Sequence, residues 1–221
     1  MPLRFAIACL LLASAALAHA AVVEVNKVPI VLEPPQGYCV LGETDLEAKF
    51  FNAMRELLRP KNELIQMSAP CDQVAQLNAG LIQQFSRWAL VQVVNSGPKP
   101  TQLTLTRAQF IAALRQTFER KAFNLEEANK QMRDILAKRS FGIEAQQMQM
   151  VGSDDTAAYL VMGMKLSSPG HEPETVAMFG AVTLVKQFPL DIYSYEKPTA
   201  PPGLDATEVT RAFLASVISK N

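Results

Sequence analysis

The chain has 221 residues, of which 49% are hydrophobic, and its 21 basic side chains match 21 acidic ones. That balance supplies no field to hold nucleic acid or an anionic membrane surface. The length suits a single domain with a substantial core.

Residues 1–20 read as a secretory signal. Arg4 gives the positive start, Phe5 to Leu17 is the apolar run, and Ala18-His19-Ala20 supplies the small residues that cleavage requires. The run is shorter than the roughly 20 residues a membrane helix needs. Cys9 raises the alternative of lipidation, but it stands only five residues after Arg4, and Ala6 occupies a place where a larger aliphatic belongs. Cleavage near Ala20 is therefore expected. It leaves one acidic residue in excess and a soluble domain over 21–221, with no transmembrane segment, bound for the periplasm or the medium.

Val22 to Leu32 reads as a β-branched strand that Pro29 marks as an edge or a break. Pro34-Pro35-Gln36-Gly37-Tyr38-Cys39 follows as turn chemistry. Its cysteine meets a second in Ala69-Pro70-Cys71. In an oxidising compartment two cysteines allow one intramolecular bridge, Cys39–Cys71, the alternatives being a reduced pair or a bridge between molecules. Thr44-x-x-Glu47 opens a helix with Leu46, Phe50, Met54 and Leu57 inward, and Pro60-Lys61-Asn62 stops it. Glu63–Ser68 is a strand, Asp72–Ala79 a short helix closed by Gly80, and Trp88–Val94 a strand ended by Asn95-Ser96-Gly97-Pro98.

Thr106-x-x-Gln109 caps a helix with Phe110, Ile111, Leu114 and Phe118 inward. Asn124-x-x-Glu127 starts a polar one running to about Lys138, with Glu126 and Lys130 at a favourable spacing. The period then changes to a meander of strands at about 144–151, 157–167, 175–186 and 190–195. Turns at Gly152-Ser153-Asp154-Asp155, Ser168-Pro169-Gly170-His171 and Gln187-Phe188-Pro189 separate them. Leu160-Val161-Met162-Gly163-Met164 and Val182-Thr183-Leu184-Val185 are apolar on both faces, so helices are expected on both faces of the sheet. After the proline-rich Lys197–Gly203, Asp205-x-x-Glu208 caps a last helix with Val209, Phe213 and Val217 inward.

The fold class is α+β, a largely antiparallel sheet with helices on both faces. The strand entering Pro35-x-Gly37-Tyr38, and the late meander before a C-terminal helix, resemble the PsbP-like α/β/α sandwich. The Gly-Tyr-Cys opening, the Ala-Pro-Cys partner and Phe179-Gly180-Ala181-Val182-Thr183 also resemble small uncharacterised exported bacterial proteins. The PsbP-like resemblance implies a mostly non-catalytic docking or assembly role, though a fold alone does not fix a function.

Chemistry in the residues is sparse. His171 is the one histidine after cleavage, which leaves serine and cysteine triads and multi-histidine zinc sites without their parts. A lone turn histidine reads as solvated. No glycine-rich phosphate loop occurs, and Asp154-Asp155 fits turn chemistry better than a calcium site. Met148, Met150, Met162 and Met164, with Met178 on the next strand, share one face at period two, a soft-ligand pattern that suits Cu(I). Leu160, Leu166 and Val182 share that phase, so core filling is preferred and no cofactor is expected. Tyr193 and Tyr195 lie in phase with Asp191. With Tyr38 they make a candidate docking patch if the final strand is an edge, against the commoner reading of tyrosines topping a core.

The expectation is a non-enzymatic exported module that docks on another envelope protein. The alternative is a binder of a small apolar ligand between sheet and helices, with the 125–138 helix as its lid.

Overall fold

The computed structural model describes residues 21–59, 61–97, 99–120, 124–136, 142–167, 170 and 172–221. The signal segment, Pro60, Pro98, Ser168-Pro169 and His171, and the last residues assigned to the polar helix, lie outside them.

Ten strands and five helices are described. β1 (Ala21–Val25) and β2 (Val28–Leu32) form a separate hairpin. Val22–Leu32 was expected to be a single strand. It folds back because Asn26 and Lys27 both take positive φ, 49° and 67°, the pair of values a two-residue hairpin turn requires. Lysine signals no such turn, so the sequence hid it. Pro29 sits in β2 opposite Glu24.

β3 (Tyr38–Val40), β4 (Asn62–Pro70), β5 (Arg87–Ser96), β7 (Gly142–Ser153), β8 (Ala158–Ser167), β9 (Glu174–Val185) and β10 (Phe188–Glu196) make one sheet in the order β3-β4-β5-β10-β9-β8-β7. Every pairing in it is antiparallel, and β6 (Lys99–Pro100) hangs on the end of β5. Two meanders, β3 to β5 and β7 to β10, thus meet at the β5–β10 seam. The β9–β10 turn falls at Lys186-Gln187, again with two positive φ values, and Phe188-Pro189 belong to the strand. The proline there signalled a turn, but the pairing of Phe188 with Val185 closes the hairpin earlier.

Side chains alternate, so each strand feeds two cores. Val91, Val93, Ala181 and Ile192 face α5 (Ala206–Lys220), whose Val209, Phe213 and Val217 are fully buried among them with Ile30 and Leu32 of the hairpin. Leu90, Val182 and Leu184 face the other way. There α1 (Asp45–Leu58) and α2 (Cys71–Asn78) lie against β4. On the same side α3 (Arg107–Arg120) lies against β7, β8 and β9, and α4 (Leu125–Leu136) flanks β7.

Helices thus cover both faces in the middle of the sheet. At its β7–β8 end the α5 side is open: Gln147, Gln149, Lys165, Thr175 and Ala177 share that face and are exposed. The expectation of helices over both faces, drawn from Leu160–Met164, therefore holds for the middle of the sheet and not here, where Val161 and Gly163 on the open face are only partly buried.

The helix starts follow the capping residues. Thr106 and Gln109 bond reciprocally, as do Asp205 and Glu208. Thr44 accepts from the Glu47 amide, but the Glu47 carboxylate reaches further back, to the amides of Gly42 and Glu43 at 3.0 Å each. It also accepts from Asn78 Nδ2 at 2.7 Å, tying α1 to α2.

Cys39 and Cys71 are bridged, with Cα atoms 4.9 Å apart. The bridge joins the three-residue edge strand β3 to the first residue of α2. Asparagine amides mimic a neighbouring strand at two edges. Asn129 of α4 both donates to and accepts from the backbone of Ala145 in β7, and Asn221 does the same to Val31 in β2. Such pairing blunts an edge that would otherwise template further strands.

Candidate functional site

β10 runs through the centre of the sheet, hydrogen-bonded to β5 on one side and β9 on the other. The candidate docking patch of Tyr38, Asp191, Tyr193 and Tyr195 was conditional on an edge strand, and β10 is not one. Tyr38 also lies on the opposite face, in the α5 core, where burial pushes its hydroxyl up to about 12. The other three do come together, on the face away from α5.

That face carries a tier of large side chains along the β5–β10 seam. Trp88 pairs with Tyr195 across the strands, and their rings stack at 5.0 Å and 8°. Tyr193 meets Tyr195 edge-on at 6.5 Å. Tyr193 fits because its neighbour across β9 is Gly180: a Cβ there would stand 2.5 Å from the tyrosine ring. One row of the sheet then reads Trp88, Tyr195, Met178, Met162, Met148 across five strands.

The candidate copper set of Met148, Met150, Met162 and Met164 falls on this face, within or against the same apolar cluster as Leu160 and Val176. Met148, Met150 and Met162 are only partly buried, as are Tyr193 and Tyr195. α1 and α2 lie over β4 and α3 over β8 and β9, on either side of the β5–β10 seam.

Its polar groups are buried and incompletely paired. Asp191 is 7% exposed; it accepts from Gln92 Nε2 at 2.9 Å and from the Tyr193 hydroxyl. Burial outweighs those bonds and raises its carboxyl to about 6. Burial first, then the Asp191 charge, pushes the Tyr193 hydroxyl far above its usual value, and Tyr195 moves the same way. Among the described residues Gln92 Oε1 and Trp88 Nε1 have no partner, an uncommon condition for buried polar atoms. Gln66 and Ser68 on β4 are also buried and unpaired, but their register with Val91 and Ala89 places them on the α5 face.

Trp88, Gln92 and Gly180 were not singled out from the sequence. A glutamine within the apolar run Trp88–Val94, and an aspartate within Phe188–Tyr195, were the available signals. Their meeting depended on which strands became neighbours.

α4 lies beside β7 rather than across this tier, so it does not sit as a lid over it. The bridged cysteines offer no thiol, and no three His, Cys, Asp or Glu side chains among the described residues converge as a metal site requires. Asp154 is occupied with its own turn. No helix in the described residues is long and apolar enough to cross a membrane. A scan against protein-family models finds none that matches, and a search of curated proteins finds no match.

Proposed function

We propose that the protein is an exported, non-enzymatic docking module that engages an apolar segment of another envelope protein on the Trp88–Tyr195–Tyr193 tier. The observation that carries this reading is the composition of the tier. It holds stacked aromatic rings and partly buried methionines, and among the described residues its buried Trp88 N–H and Gln92 side-chain carbonyl have no partner. Tyrosine and tryptophan dominate interface energetics, and methionine adapts to irregular partners.

The helices against both sides of an all-antiparallel sheet support a PsbP-like sandwich, for which docking roles are the implied norm. The Cys39–Cys71 bridge, together with the apolar start of the chain and Ala18-His19-Ala20, supports export and cleavage near Ala20.

The test places a photoreactive phenylalanine analogue at Tyr195 or Met162, with the exposed Leu81 as control, in cells that export the protein. The expected result is one protein adduct from the tier positions that is missing from position 81. Equal labelling at all three sites would sink the docking reading. An adduct of a few hundred daltons, matched by retained mass in native mass spectrometry, would replace it with the small-ligand reading.

A further inference from the structure

On the other side of the sheet, a cleft of about 500 Å³ opens between α5 and the β7–β8 turn, a size typical of small-molecule sites. Tyr159, Leu214 and Ile218 give it an apolar wall, and Asp154, Thr156 and Arg211 its polar groups. The spacing of Arg211, Leu214 and Ile218 puts them on one face of α5.

The two charges in the cleft are in different states. The Asp154 carboxylate is consumed by its own turn: it accepts from the Thr156 amide at 2.7 Å, the Thr156 hydroxyl at 2.5 Å, the Ala157 amide at 3.0 Å and the Tyr159 hydroxyl at 2.7 Å. Three of those bonds converge on Oδ1 and the Tyr159 hydroxyl takes Oδ2, so both oxygens are engaged within the turn. Arg211 is free by comparison. Its guanidinium lies 5.9 Å from the centre of the Tyr159 ring, and no carboxylate among the described residues stands within ion-pair distance of it. Arg87, which lines a smaller cleft of about 200 Å³, is instead already paired with Glu196 at 2.6 Å.

Tyr159 is itself fixed, because its hydroxyl is bonded to Asp154 and its ring stacks on Phe179 at 6.1 Å. A cation held by a fixed ring keeps its N–H fork for an anion, and the fork matches a carboxylate or sulfonate in two bonds.

We propose that this cleft binds a small organic monoanion, with its carboxylate or sulfonate on Arg211 and its apolar body against Tyr159, Leu214 and Ile218. The standing charge of Asp154 disfavours a second negative group. The site shares no residue with the aromatic tier and stands or falls apart from the docking reading.

The test titrates the exported, disulfide-bonded protein with trans-cinnamate and, separately, with its neutral isostere cinnamamide, followed by amide NMR. Saturating shifts at Tyr159, Arg211, Leu214 and Ile218 are expected with cinnamate, and binding about tenfold or more weaker with cinnamamide. Arg211→Gln should bring cinnamate down to the level of the amide, and Arg211→Lys should retain part of the preference. Equal affinities for acid and amide would overturn the proposal. So would shifts confined to other residues, an unchanged titration in Arg211→Gln, or no shift at all.

Discussion

At the scale of the residue, Asp191 is a carboxylate buried in the middle of the sheet. It is nearly sealed from solvent and, among the described residues, bonds to Gln92 and Tyr193, so its charged form is disfavoured and its carboxyl is raised to about 6. An unfolded aspartate titrates near 3.9. The native state therefore holds an extra proton between those values, and stability falls as pH rises from about 4 to 6 and stays reduced above it. Asp191→Asn removes the titration while keeping an acceptor for Gln92. The variant should gain on the order of 2–3 kcal/mol relative to the parent at pH 7, with little difference below pH 4. Urea unfolding at several pH values checks this, and a pH-independent difference would show that Asp191 does not titrate as described.

At the scale of the element, β3 is a short edge strand held by a covalent tie. It has three residues, pairs only with β4, and is tied to α2 by the Cys39–Cys71 bridge, 32 residues apart in sequence. A closed loop of this length stabilises by roughly 3–4 kcal/mol in the chain-entropy model. Cys39→Ser with Cys71→Ser should therefore lower the unfolding free energy by about that amount. Hydrogen exchange should show the first loss of protection in β3 and the N-terminal turn of α2. A variant as stable as the parent would mean that the backbone bonds from the Cys71 amide to the Gly37 carbonyl and from the Leu41 amide to the Met67 carbonyl already hold the strand.

At the scale of the whole molecule, the two cores are not separable. Leu90 and Val91, or Ala181 and Val182, are neighbours in sequence that pack on opposite sides of the same strands. Loss of either core strips one face of β5, β9 and β10, so the protein should unfold in a single transition. Trp88 emission, which reports the tier face, and far-UV circular dichroism should share one urea midpoint. Separate midpoints would mean that α5 with the β1–β2 hairpin melts on its own.

Much of this architecture was legible in the chain itself. Thr106, Asn124 and Asp205 start helices where their side chains accept from backbone amides three residues on, a local interaction that needs no tertiary partner. Period-two apolar runs placed the meander, and cysteine arithmetic gave the bridge. The tertiary structure decided what local signals do not carry. It turned the chain at Asn26-Lys27 and Lys186-Gln187, where pairing energy overrides the weak preference of Lys27, Lys186 and Gln187 for positive φ. It also decided that β10 lies at the centre, which put Tyr193 over Gly180, Asp191 beside Gln92 and Tyr195 on Trp88. Strand order is set by long-range pairing, so contacts across it have no signature in sequence spacing, whereas caps and periodicity do.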